Sequence, residues 1–355
     1  MEASIKIPFY IKFAGLVIGA TAIIMTLYLG EYLIVPLIFA LLFAILLDPV
    51  IEFLSRRGFN RTIAITLVVV IIVLIGLFVL YLIFAQFTLF YDSYPLLSNK
   101  SQTLSVNWVQ WISSQFKIKI EIINAWIYKT QMEALSNLGG SIGYTVELIN
   151  SFLFIMILLP VYLFLILYYK GFFIEFMKRL FIRRNQEDVF EFLGNSKNII
   201  QKYLVGLLLE ALIVAVLNSI GLYIIGIEYA VILGISGAIL NIIPYLGGVL
   251  STIIPVTIAL VTKDSYTYAL EVVGVYLVIQ LIDNNFIVPR IVASRVQLNA
   301  LVSIVVVLLG GALWGIPGMF LSIPMTAILK VGLDHVDSLK AWGYLLGNKV
   351  NPKTN

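Results

Sequence analysis

The sequence contains no cysteine and a single histidine, His335. Disulfides, thiol nucleophiles and cysteine-ligated metals are excluded, and a His-ligated zinc or haem centre lacks its ligands. No nucleophile–base pair or ligand cluster stands out, so no catalytic residue, metal or cofactor is expected and the chain does not read as an enzyme. Charge is also scarce: 12% of the 355 residues are Asp, Glu, Lys or Arg, against 61% hydrophobic. A soluble domain is about one-quarter charged. So few charges do not cover the water-facing surface of a fold this size. The net charge of +4 is mild and clusters in loops, giving no signal for nucleic acid.

What is abundant is long apolar sequence. Mean hydropathy is +1.03, and the apolar residues come in runs of about 18 or more, the length of a membrane span. The chain therefore reads as an all-α polytopic membrane protein with about eight hydrophobic segments. Lys6 and Lys12 flank the start of the first run. No small-residue cleavage site follows and a second span begins at once, so this is an uncleaved helix rather than a signal peptide.

Residues 1–90 give three spans: Tyr10–Tyr28, Tyr32–Leu47 closed by Asp48-Pro49, and Ile63–Phe90, with Arg56, Arg57 and Arg61 in the turn before the third. Residues 91–145 are more polar and carry Trp108 and Trp126. Apolar residues there recur at helical spacing, as amphipathic helices on the membrane surface or as a small cap packed on the spans. Residues 146–169 form a fourth span. Residues 170–202 form a basic segment with seven Lys or Arg against four acids, which marks the cytoplasmic side. Both termini then lie in the cytoplasm, 91–145 outside, and 333–355 is a cytoplasmic tail.

Residues 203–332 depart from simple spans. Tyr229–Thr262 is one apolar stretch broken at Pro244-Tyr245-Leu246-Gly247-Gly248. Proline removes a helical hydrogen bond and glycine loosens the backbone. Each half is about 15 residues, or about 22 Å, too short to cross alone. Leu298–Val331 repeats the pattern, with its break at Gly310–Gly318. Each is a bent span or a hairpin that re-enters. Hairpins keep Arg290, Arg295 and the C-terminal lysines on the cytoplasmic side, which favours them and gives an inverted-repeat-like arrangement.

Polar groups inside spans are the candidate site. Asp283 lies about 10 Å inside the end marked by Arg290. Gln280, Asp283 and Asn284 share a face by helical spacing, and Asn285 widens it. Glu210 lies about 12 Å beyond Lys202, with Asn218 two turns further. Such groups are costly in lipid and mark substrate or ion sites, or else interhelical hydrogen bonds that hold the bundle. Asn241, Pro244, Gly247 and Gly248 sit at the first break, where freed backbone would meet a ligand, or where the helix is merely kinked.

Three motifs in order carry a resemblance: Asn241-Ile-Ile-Pro-Tyr-Leu-Gly-Gly248, Gln280-Leu-Ile-Asp-Asn-Asn-Phe-Ile-Val-Pro-Arg290 and Gly310-Gly-Ala-Leu-Trp-Gly-Ile-Pro-Gly-Met-Phe-Leu-Ser-Ile-Pro324. Together they resemble the AI-2E transporter family of autoinducer-2 exporter-like, PerM-like permeases. The resemblance implies a bacterial inner-membrane homo-oligomer that exports a small polar solute such as autoinducer-2. For some relatives it implies sodium or lithium exchange for protons, so a monovalent cation or proton is the alternative partner. A non-transporting scaffold is a third reading. Many members carry His-Pro where this chain has Asn299-Ala300, which leaves any proton coupling to Asp283 or Glu210.

Overall fold

A computed structural model describes residues 8–82, 84, 85, 88, 113, 114, 117, 119–122, 124, 125, 129, 141–180, 186–263, 265–293 and 298–347. Most of the expected amphipathic segment 91–145 lies outside the described residues, as do Arg295 and the end of the tail. Regular structure among the described residues is helical, apart from one antiparallel bridge between Leu298 and Gly347. Among the described residues, six helices are long and apolar enough to cross a membrane, or up to seven if one bent pair counts as a span.

The chain divides into two compact units. The first comprises Met1–Thr66, Phe154–Ile200 and Gln297–Asn355, and the second Leu67–Leu153 and Gln201–Val296. The two broken stretches, which the sequence groups into one core, fall in different units.

In the first unit, α1 (Phe9–Leu29) is apolar on every side and buries none of its residues, as a lipid-facing helix does. The next helix, α2 (Glu31–Arg56), contains Pro36 and Pro49 and runs beyond the stop expected at Asp48-Pro49. Asp48 is 4% exposed. Its Oδ1 accepts from Lys170 Nζ and its Oδ2 from Lys197 Nζ, each at 2.5 Å. Two ammonium groups balance this carboxylate inside the helix, so the Asp-Pro pair need not be an exposed end.

The third helix, α3, covers Arg61–Leu82. The fourth, α4 (Ser141–Tyr168), bends by 63° into α5 (Lys170–Leu180). The basic segment is thus largely helical: α5 is followed by α6, which runs from Gln186 to Ile225. Its 40 residues make about 60 Å of helix, twice the hydrocarbon thickness, so its charged first turns lie outside the apolar layer.

The second unit holds the later part of α6, two short helices α7 (Ala230–Asn241) and α8 (Gly247–Thr262), and α9 (Thr267–Ile282). Helices α7 and α8 form a hairpin: Ala230 and Leu233 share a buried cluster with Ile258 and Ala259, so the arms run antiparallel from a tip at 241–247. A Cβ on Gly226 would lie 3.9 Å from Lys263 Nζ, so the two ends of the hairpin adjoin. Small residues let the helices approach, the packing device available where lipid removes the hydrophobic drive. Gly234 lies against the backbone of Ser219, and Gly206 against the carbonyl of Ile291.

Two findings add to the sequence reading: a helix type it did not mark, and the position at which the second expected break falls. The backbone beyond α9 winds as a π-helix over Asp283–Ala293. The second broken stretch forms α10 (Ala300–Asp334), whose backbone leaves helical geometry at Trp314 and Gly315. Gly310 and Gly318 there lie backbone to backbone, whereas eight residues of straight helix span about 12 Å. The chain therefore folds back. Trp314 Nε1 anchors the break by donating to the Leu27 carbonyl of α1 at 2.9 Å. Asn299 caps α10 through Val302 N and holds the last helix, α11 (Lys340–Leu346), by donating to the Leu345 carbonyl at 2.8 Å.

Candidate substrate-binding site

Asp283 stands where α9 ends and the π-helix begins, and is 2% exposed. Its Oδ2 accepts a 2.8 Å hydrogen bond from Asn241 Nδ2, at the tip of the α7–α8 hairpin. Its Oδ1 has no partner among the described residues. Glu210, on α6, is 6% exposed, and its Oε2 is likewise without a partner. Gly206, one turn before Glu210, lies against the Ile291 carbonyl, and Val214, one turn after it, packs with Ile279 and Ile287, which sets Glu210 at the level of Asp283 along α6. No described lysine or arginine forms an ion pair with either acid. Two carboxylates on three converging elements thus carry free acceptor oxygens inside apolar helices, an expensive arrangement.

Around this pair the hairpin tip is built tightly. Pro244 ends the helical run, Leu246 N donates to the Pro244 carbonyl at 2.8 Å, and Tyr245 adopts left-handed backbone at φ 64°. A Cβ on Gly247 would meet Asn241 Cα at 2.5 Å, so glycine is what lets the tip close on itself. Gly248 lies under the Gln280 side chain, with Gln280 Cδ 2.8 Å from where a Cβ would stand. Gln280 Nε2 reaches Asn284 Oδ1 at 3.4 Å.

The structure therefore gathers Asp283, Asn241 and Glu210 into one node and sets Gln280 and Gly248 against each other. Asn284 is exposed beside Gln280. Asn285 is exposed and donates back to the Leu281 carbonyl at 2.8 Å, away from the node. Gly247 faces the hairpin's own backbone, and the Pro244 carbonyl is engaged by the turn.

Sequence reading left out Tyr276, Ser251 and Ser236, and placed Asn218 only by its distance along the helix from Glu210. All four are buried in the second unit. The signal for Asn218 was available, since Glu210, Val214, Asn218 and Leu222 follow one another every four residues along a buried ridge of α6. Tyr276 and Ser251 sit in apolar runs and gave none.

A helical membrane chain whose buried carboxylates meet the tip of a broken hairpin has the architecture of a transport protein. A family model described as AI-2E family transporter matches residues 17–338. The chain belongs to this family and is a membrane transporter. YrrI of Bacillus subtilis (strain 168), named as a transport protein, is 27% identical over 309 residues, covering 85% of this chain and 86% of its own. YhhT of Escherichia coli (strain K12), also named as a transport protein, is 26% identical over 341 residues, covering 95% and 93%. The AI-2 transport protein TqsA of the same strain is 34% identical over 122 residues, covering 34% and 35%.

Proposed function

We propose that this transporter exports a small, neutral, hydroxyl-bearing solute of the AI-2 kind across a bacterial cytoplasmic membrane, with Asp283 as its central binding group. The observation that carries this reading is a buried Asp283 whose Oδ1 has no partner among the described residues, at the level of a buried Glu210 whose Oε2 has none either. Hydroxyl groups would donate to these acceptors, while the Asn241 and Gln280 amides both donate and accept. Such hydrogen bonds recover the cost of holding polar atoms away from water. The name of TqsA points to the same solute class.

The hairpin is read as re-entrant. Its arms have 12 and 16 residues, or about 18 and 24 Å, short of a hydrocarbon core of about 30 Å. Asn241 would then be delivered to membrane depth. Both termini are assigned to the cytoplasm, and the working form to a homo-oligomer.

The test is AI-2 flux in proteoliposomes of purified protein. Asp283→Asn keeps the shape and removes the charge, and flux should fall at least about tenfold, the equivalent of 1.4 kcal/mol. Unchanged flux in a well-folded Asp283→Asn variant removes Asp283 from the site. Saturable sodium or lithium flux with no AI-2 flux would replace the solute reading.

A further inference from the structure

A second pair of unsatisfied polar groups lies deeper along the same seam. Helix α6 and the α9–π-helix run antiparallel, with Gly206 against the Ile291 carbonyl and Gly221 against the Val275 side chain. Glu210 and Asp283 occupy one level of this seam. Asn218 and Tyr276 occupy the next, eight residues along α6 and seven back along α9, hence about 10–12 Å away. Between the levels stands an apolar layer of Val214, Ala238 and Ile279.

Asn218 is 1% and Tyr276 5% exposed, and neither Asn218 Oδ1 nor Tyr276 Oη has a hydrogen-bond partner among the described residues. Their serine neighbours are satisfied: Ser251 Oγ donates to the Gly248 carbonyl at 3.0 Å and Ser236 Oγ to the Ile232 carbonyl at 2.8 Å. Both side chains reach Gly237. A Cβ there would stand 3.1 Å from Tyr276 Oη, 3.3 Å from Asn218 Nδ2 and 3.5 Å from Ser251 Cβ. Apolar isosteres would build the same helix contact without unsatisfied groups, and lipid offers no partner for them.

We infer that Asn218, Tyr276 and Gly237 form a second station on the solute route, which follows the α6–α9 seam beneath the hairpin. The station offers an amide and a phenol, which match a neutral hydroxyl group of the solute or of its accompanying water. This rests on the reading of the Asp283 node as the first station.

The natural absence of cysteine makes the test direct. Asn218→Cys and Tyr276→Cys, each the only thiol in its chain, are reacted with a small membrane-impermeant methanethiosulfonate in proteoliposomes. Leu222→Cys, in the apolar core one turn beyond Asn218, is the dry reference. Reaction at 218 or 276 at least about tenfold faster than at 222 is expected. Rates equal to the Leu222→Cys reference at both positions would overturn the proposal. Gly237→Ala adds a second readout: AI-2 flux should be lost while AI-2 still binds, and wild-type flux counts against the station. The two readings separate cleanly. Dry 218 and 276 with flux still dependent on Asp283 sinks only the second station, whereas reactive thiols with Asp283-independent flux sink only the first.

Discussion

Asp283 and Asn241 stand 42 positions apart in the chain and are joined by a single hydrogen bond. Removing the amide should hurt more than removing the charge, because Asn241→Ala leaves a second carboxylate oxygen of Asp283 unsatisfied at a cost of about 1–3 kcal/mol. Thermal unfolding in detergent should therefore show Asn241→Ala clearly destabilised, and Asn241→Ala with Asp283→Asn less so than the single variant. Additive losses would mean the two do not act as a pair. Asp48 shows the same asymmetry among charges. It is buried, while Lys170 and Lys197 are partly exposed. Asp48→Asn leaves Lys197 to water and Lys170 to Glu52 at 3.4 Å, and should cost about 1 kcal/mol. Replacing both lysines by methionine strands a buried carboxylate and should cost several kcal/mol, up to about 3–5. Equal melting losses would contradict this ranking.

Elements carry the next level of the design, and the hairpin tip is its tightest point. A methyl on Gly247 strikes backbone, which cannot move aside without opening the tip that delivers Asn241 to Asp283. A methyl on Gly248 strikes the end of the flexible Gln280 side chain instead. Gly247→Ala should therefore depress transport by about tenfold or more and Gly248→Ala by less, the difference being one of which neighbour can yield. Flux assays with matched protein amounts decide it, and a reversed order would place the tip's constraint elsewhere. Much of this element was legible in sequence, because Pro244 and the two glycines interrupt arms too short to cross. The break at Trp314–Gly315 was legible for the same reason. The π-helix was not: Asp283–Ala293 has the composition of an ordinary helix end, and wider winding leaves no mark in hydrophobic periodicity. That winding turns the chain through a smaller angle per residue. Asn285, expected to widen the polar surface, stands two residues beyond Asp283 and so falls off its face under either winding; it lies exposed and bonded back to Leu281.

For the molecule as a whole, the proposed re-entrant topology rests on where the ends of the hairpin meet. Gly226 and Lys263 adjoin at those ends, and neither arm alone reaches across the apolar core. If the basic α5 and the start of α6 are cytoplasmic, α6 carries the chain out. The α7–α8 hairpin then dips in from the outer face, and α9 returns toward Arg290. Glu228 and Tyr266, exposed just outside the two ends, should then lie on one and the same face, away from Arg56 and Lys178. With Glu228→Cys and Tyr266→Cys as lone thiols, an impermeant maleimide should label both in intact cells, and Arg56→Cys only in inverted vesicles. Labelling of Glu228→Cys and Tyr266→Cys from opposite faces would mean that residues 230–262 cross the bilayer. Asn241 would then no longer be the polar tip of a re-entrant loop, and Arg290 would lie outside, against the charge bias of the chain.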